Sequence, residues 1–546
     1  MKIIKILAGV VICLSITSCT KDVLDKQDLS RTSDETVWSD INLVNNYVNY
    51  FYSTLPGAMT SGNVLNWDVT TDIGDNGLAN DIFSTERYAN ATQANWSAAD
   101  KVVFYNNWTA LYQNIRRAND FLQRIEGVTG DENLKKRMKA EVRFFRALYY
   151  FQLTNMFSDD PVANPEPLGV PIIEKAMVFG TDSISVPRNT KTECVNYVVS
   201  ELDQAATELG EIPASYTSQA GRITKGAALA LKGRMLLYAG RWAEAATASK
   251  AVMDMAGYIL NADYSKVFTV KNNPEAILSV QYNNILAERG HKLDYYISPG
   301  SQGGYARWNP TQNLVDSYEL TDGKLPSESP LYDAQNPYLN RDKRFYATVV
   351  YDGSTYRGKV MQLYSGGYDI NNGGLFKSQT NYYLRKFANE TNLDFANTVT
   401  GSDQNWILIR LGEVLLNYAE AENEAAGPDE SVYNAVNQLR TRAGLPNLPV
   451  GLSQSDMRDR IRRERKVELA FEDFRFWDVR RWRIADQPDQ LTIKGITVSL
   501  NTTTGVKTYS PKVVETRPFP AKFYTTPIPI EEMNNNKKMV QNFYWK

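Results

Sequence analysis

Gly233-Arg234-Met235-Leu236-Leu237-Tyr238-Ala239-Gly240-Arg241-Trp242-Ala243-Glu244-Ala245, inside the segment from Thr224 to Met255, decides the fold class. Gly233, Gly240, Trp242 and Ala245 fall in a small–small–aromatic–alanine register, in which small residues let two helices approach closely. A generic helical hairpin produces a similar pattern, so the neighbouring segments carry the decision.

Upstream, Thr192 to Leu209 reads as the partner helix, with Cys194, Val198, Val199 and Leu202 as apolar filler. Before it, Trp108, Leu111, Tyr112, Ile115, Ala118, Phe121, Leu122 and Ile125 recur at helical spacing and stop at Gly127 and Gly130. Leu134, Met138, Val142, Phe145, Leu148, Tyr149 and Gln152 mark a second helix. Repeated pairs of this kind, with the register of Gly233 to Ala245, are the signature of tetratricopeptide-like repeats. Thr36 to Leu55 also reads as helix, whereas residues 56–100 are rich in Gly, Asn, Asp and Thr and read as loop.

Downstream, residues 256–405 are irregular, with a strand at Ala276–Val280 and a hairpin from Ala347–Tyr351 through Asp352-Gly353 to Lys359–Tyr364. Helices are expected over Trp406–Ala426, Ser431–Ala443 and Met457 to about Trp482. A strand pair near Ile496, Val498 and Leu500 turns through Thr502 to Gly505, and the prolines of Thr526-Pro527-Ile528-Pro529-Ile530 keep the C-terminus extended. The expected fold is mostly α: a tetratricopeptide-like helical repeat scaffold with a loop-rich variable region containing short β-hairpins.

The N-terminus supplies an address. Lys2 and Lys5 precede an apolar run from Ile6 to Ile16, and Ile16-Thr17-Ser18 precede Cys19. This reads as a lipoprotein signal peptide over residues 1–18, with Cys19 as the lipidated first residue of the mature chain. About a dozen apolar residues fall short of the ~20 needed to span a bilayer. Without Lys2 and Lys5, 58 of the 60 basic residues face 62 acidic ones, a formal charge of −4 that gives no reason to bind nucleic acid. Of three cysteines, Cys13 leaves with the signal and Cys19 carries lipid, so Cys194 has no partner for an internal disulfide.

Catalytic and metal vocabulary is sparse. His291 is the single histidine, which excludes a His-x-x-x-His zinc motif, and no Gly-x-Ser-x-Gly elbow accompanies it. Gly353 to Lys359 has the spacing of a phosphate loop, but Val360 follows where a hydroxyl is needed. Asp369, Asn371 and Gly373 match a fragment of a calcium loop without its terminal acid. Arg462 to Glu468 alternates charge at helical spacing and reads as a salt-bridged helix face. Neither cofactor nor catalytic residue is nominated. Aromatics are abundant instead: 32 Tyr, 10 Trp and 20 Phe. Rings with polar tips suit partly wet binding surfaces.

Several stretches together resemble the SusD/RagB family of outer-membrane nutrient-binding lipoproteins. They are Ala140 to Tyr150, Gly221 to Ala228, Ile409 to Ala421, Leu439 to Pro446, and Glu464 to Glu472 with Arg475-Phe476-Trp477-Asp478; Pro527 to Asn542 fits as well. The resemblance implies four tetratricopeptide-like helix pairs, with an N-terminal part over about 19–220 and a C-terminal part over about 221–546 interleaved in one fold. It implies a non-enzymatic, cell-surface protein, held to the outer membrane by lipid, that captures oligosaccharides and delivers them to a partner SusC-like TonB-dependent transporter. Lys21-Asp22 resembles the charged export signal of surface lipoproteins. A peptide ligand, a lipoprotein glycoside hydrolase and an assembly protein without its own ligand are the alternatives.

Sugar rings present C–H faces that pack on aromatic rings, while their hydroxyls need polar partners. Trp67, Asp72, Asp75, Arg87, Trp96, Tyr296 and Trp308, all in loop-like segments, are therefore the candidate glycan contacts. None lies in the stretches that carry the resemblance.

Overall fold

The computed structural model describes residues 33–57, 66–77, 91–93, 96–99, 105–178, 185–210, 219–283, 285, 290–374, 376–395 and 401–546. The expected leader 1–18, Cys19, Lys21-Asp22 and Arg87 lie outside the described residues.

Eleven helices organise the scaffold: α1 (Asp34–Ser39), α2 (Ile41–Tyr52), α3 (Tyr105–Arg124), α4 (Glu132–Phe157), α5 (Lys191–Glu208), α6 (Lys225–Tyr238), α7 (Trp242–Met253), α8 (Leu411–Ala426), α9 (Glu430–Ala443), α10 (Gln454–Glu468) and α11 (Arg475–Arg481). From α3 to α7 each packs on its successor; α8 then packs on α7, and α9 and α10 on α8. The result is four consecutive helix pairs, α3/α4, α5/α6, α7/α8 and α9/α10, the third interrupted by the loop-rich body. Side chains stop the ends from fraying. Asp131 accepts from the N–H groups of Asn133 and Leu134 at the start of α4, and Thr190 with Glu193 forms a capping box on α5. The Thr224–Met255 segment divides into α6 and α7 at Gly240, whose φ of +71° suits glycine. Gly233 lets the pair close: a Cβ there would lie 2.8 Å from Ser249 Oγ.

The strands are few and short: β1 (Gly74–Asp75), β2 (Ala276–Val280), β3 (Asn309–Pro310), β4 (Trp406–Arg410), β5 (Thr492–Leu500) and β6 (Lys507–Thr516) are the ones that matter for the site. They pair antiparallel as β1–β3, β2–β4 and β5–β6. Two apolar cores result. One runs between the helices, and the other, rich in Tyr, Phe and Trp, lies under the loop-rich body. Trp67, Val280 and Leu408 pack against both.

Four sequence expectations change. Thr36–Leu55 breaks into α1 and α2 because the Asp40 side chain caps Asn42 N–H. Trp406–Ala426 begins as a strand, since Trp406–Arg410 pairs with β2 before Leu411 starts α8. Met457–Trp482 breaks after Glu468, where Phe471 and Asp473 hold φ of +64° and +66°. The expected hairpin forms instead between Thr355–Tyr356 and Lys359–Val360, while Val349–Val350 pairs with Tyr383–Leu384. Gly353–Lys359 thus turns inside a hairpin with no helix behind it, as the missing hydroxyl indicates.

Buried charges weld the two cores. Arg410 bonds to Glu275 at 2.8 Å, Glu468 at 2.7 Å and Glu472 at 2.7 Å. Arg442 reaches Glu275 and Glu468, and Arg344 reaches Asp342, Glu464 and Glu468. Lys386 meets Glu472 at 2.7 Å. Burial works against the Glu468 carboxylate, but the guanidinium groups of Arg442, Arg410 and Arg344 outweigh it and hold its pKa well below the usual range. Removing one partner from such a cluster leaves uncompensated buried charge. The Glu464–Glu472 stretch is therefore scaffold. At the far end, Asn542 Nδ2 donates to Phe157 O at 3.1 Å and Thr526 O at 2.6 Å, and Phe543 N–H donates to Asp159 Oδ1, so the C-terminus seals the end of α4.

Candidate functional site

A platform of aromatic rings stands on the loop-rich body. The short helix Leu293–Ile297 buries Leu293, Asp294 and Ile297 and leaves Tyr295 and Tyr296 half-buried. Asp294 pins it: Oδ1 accepts from Arg357 Nη2 and Asn389 N–H, both at 2.8 Å, and Oδ2 accepts from Ser402 Oγ and from Gln404 Nε2 at 2.9 Å. The chain then turns back. Tyr305 N–H donates to Tyr295 O at 2.9 Å, and Arg307 N–H donates to Tyr296 O at 2.8 Å. This backbone pairing lays the Tyr305 ring 4.7 Å from Tyr295 and 5.8 Å from Tyr296.

Phe376 joins from another loop, its ring 4.3 Å from that of Tyr305. Gly300 makes the approach feasible, because a Cβ there would sit 2.3 Å from Phe376 O. The guanidinium of Arg307, wholly buried, lies 5.6 Å from the Tyr305 ring centre. Burial, aided by the Tyr305 hydroxyl, pushes the Tyr295 phenol up to about 12, so both donor and acceptor functions persist at neutral pH. Ser301 and Gln302, partly exposed, lie in the turn between the Leu293–Ile297 helix and Tyr305.

Of the seven residues expected at the site, Tyr296 stands on this platform. Asp75 and Trp308 lie behind it: β1 pairs Asp75 with Asn309, and the Trp308 ring packs 6.2 Å from Trp406 in the second core. Asp75 is fully buried, and its Oδ2 accepts from Gly77 N–H. Asp72 is also buried, ion-paired to Arg475 and Lys466, each at 2.8 Å. Burial opposes its charge, but those two cations hold the carboxyl far below the ordinary range. Trp96 belongs to the other core, 5 % exposed and stacked 4.9 Å from Phe523. Trp67 is half-buried against Phe476, its N–H donating to Asp473 Oδ1 at 2.7 Å. The structure thus does not bring the six described candidates together on one surface; Arg87 lies outside the described residues. Tyr295, Tyr305 and Phe376 were missed, though the Tyr295-Tyr296 doublet and the Gly303-Gly304 turn before Tyr305 were legible signals.

Nothing in the catalytic vocabulary converges. His291 is buried; its Nε2 faces Gln404 O at 2.8 Å and its Nδ1 accepts from Leu293 N–H, with burial lowering its pKa. The Ser402 hydroxyl donates to Asp294, not to the His291 ring; its backbone N–H donates to His291 O. Both oxygens of Asp369 accept from the protein, from Ser301 Oγ and Gln362 N–H. Among the described residues no group of three or more His, Cys, Asp or Glu is placed to hold a metal ion, and no helix is long and apolar enough to cross a membrane. Cys194 is buried against Val170, and burial raises its thiol to about 11, which leaves it protonated and inert.

Comparison with known proteins follows the same lines. Residues 274–545 match the family model described as "SusD family", and residues 22–237 match the one described as "Starch-binding associating with outer membrane". SusD-like protein P25 of Formosa agariphila is 25% identical, over 99% of this chain and 98% of its own. The starch-binding protein SusD of Bacteroides thetaiotaomicron is 23% identical over 83% of this chain and 81% of its own. The crystal structure of a SusD-like carbohydrate binding protein from Bacteroides fragilis superposes with a TM-score of 0.78 at 26% identity, covering 92% of this chain and all of that one. Two matching models in chain order, a full-length relative and a shared fold of stacked helix pairs place this chain in the SusD/RagB family.

Proposed function

We propose that the chain is a cell-surface glycan-binding lipoprotein that captures oligosaccharides on the Tyr295–Tyr296–Tyr305–Phe376 platform and delivers them to a TonB-dependent outer-membrane transporter. The observation that carries this reading is the platform itself: four rings, two on a short helix and two on loops, held by buried anchors and left half-exposed, in a family whose relatives bear the names starch-binding and carbohydrate binding. Flat ring faces take the C–H faces of pyranoses, while phenol hydroxyls and the Ser301–Gln302 turn meet sugar hydroxyls. Asp75 and Trp308 act from behind, by fixing the segment that leads from Tyr305 into β3. The protein binds without cutting. Lipidation of Cys19 holds it to the outer membrane, consistent with the description of the N-terminal family model.

The test is retention on immobilised polysaccharides. Tyr305→Ala and Tyr296→Ala are expected to weaken binding about tenfold, ~1.4 kcal/mol, with only a small fall in the unfolding midpoint. Equal retention by parent and both variants removes the platform. New reducing ends from incubated polysaccharide would turn the reading toward a hydrolase. Mass spectrometry of the N-terminal peptide checks the lipid, and co-purification with a barrel protein checks the transporter.

A further inference from the structure

Where the scaffold meets the loop-rich body, the two cores leave a cavity of about 250 Å³. Four indoles line it: Trp67, Trp308, Trp406 and Trp477. Helix α4 adds two carboxamides, Gln152 and Asn155, three residues apart and so on one face. Asn155 Nδ2 is sealed from bulk solvent and has no hydrogen-bond partner among the described residues. Leaving such a donor unmade costs about 1–3 kcal/mol. A cavity meant to stay dry and apolar would not be walled with an orphaned amide and acids. Two acids line it: Glu472, already paired with Lys386 and Arg410, and Asp473, whose Oδ1 accepts the Trp67 backbone N–H. Burial lifts the Asp473 carboxyl to about 7, so near neutral pH it can donate as well as accept.

We propose that this cavity is a second binding site, separate from the tyrosine platform, for one compact polyhydroxylated ring such as a single pyranose. Indole faces receive the ring's C–H faces, and Asn155 Nδ2 donates to a hydroxyl or ring oxygen. The size argues for one ring: the volume is below the ~300 Å³ at which pockets for drug-sized ligands begin. The walls come from α4, β4, the Trp67 segment and α11, so an occupant touches scaffold and body at once. The tyrosine platform, by contrast, belongs to the body alone.

The experiment titrates the full mature chain with a panel of free hexoses, hexosamines and methyl hexosides, read by intrinsic tryptophan fluorescence and calorimetry. A saturable fluorescence change with at least one panel member is expected. Asn155→Leu should weaken it at least tenfold, and Tyr305→Ala should leave it unchanged. If Asn155→Leu fails to fold, Asn155→Ala serves the same comparison. No saturable change with any panel member overturns the proposal, as does equal affinity in the Asn155 variant or loss of the signal in Tyr305→Ala. Oligosaccharide retention by the platform is scored separately, so failure of one site does not imply failure of the other.

Discussion

Phe145 and Phe345 are both fully buried rings, but their surroundings differ. Phe145, in α4, packs 5.8 Å from Phe51, 4.9 Å from Tyr52 and 6.4 Å from Tyr149, all on helices whose spacing brings them round. Phe345 is ringed by Tyr318, Tyr338, Tyr346 and Tyr351, gathered from loops and one short helix. A helical face repeats and aligns itself. A loop does not, so the body needs specific polar anchors to hold its rings in place, and Asp294, Arg344 and Arg410 supply them. The scaffold rests on periodicity, the body on individual bonds.

The contrast breaks most severely at Arg410. Arg410→Ala strands Glu275, Glu468 and Glu472 and is expected to cost about 4–5 kcal/mol, read as a fall in the urea midpoint. Next come Trp308→Ala in the body and Trp96→Ala in the scaffold, each costing about 3–4 kcal/mol by cavity formation. Trp308→Ala should also reduce glycan retention, because its core underlies the platform, whereas Trp96→Ala should not. Asp473 sharpens the boundary between the regions. Its folded pKa of about 7 lies above the ordinary 3.8, so its contribution to stability is complete below 3.8 and disappears as pH rises through 7. Asp473→Asn, which still offers an oxygen to Trp67 N–H, should show no such decline when unfolding is followed from pH 4 to about 8. The smallest stability effect belongs to Tyr305→Ala. A half-buried ring should cost under about 1 kcal/mol in the same denaturation assay.

Legibility follows the same division. Gly233, Gly240, Trp242 and Ala245 announced a helix pair from one short stretch, because close packing of helices demands small residues at fixed intervals. The Trp406–Arg410 strand was absorbed into the following helix, since Trp406 to Ile409 and, after Arg410, Leu411 form an apolar run with a single interruption that suits either state. The break after Glu468 carries no Gly or Pro; Phe471 and Asp473 are held at positive φ by tertiary bonds such as Trp67 N–H to Asp473. Asp72 read as a surface acid because its partner, Arg475, lies 403 positions away. For the platform, Tyr296 was visible as an aromatic in a loop. Its neighbours Tyr305 and Phe376 were not, because backbone pairing across a turn and a contact between separate loops leave no period in the sequence.

The seal at the end of α4 governs the order in which the molecule can be assembled. Asn542 closes on Phe157 across 385 positions, and Arg188 Nη1 reaches Val540 O across 352. Contacts of such long separation make folding slow, because chain entropy is surrendered before the bonds form. Until the C-terminus folds back, Phe157 O has, among the described residues, only the Arg188 guanidinium, at 3.0 Å, and lacks its second donor, Asn542. A chain that lacks its last few residues loses both the Asn542–Phe157 and the Arg188–Val540 bonds at the end of α4.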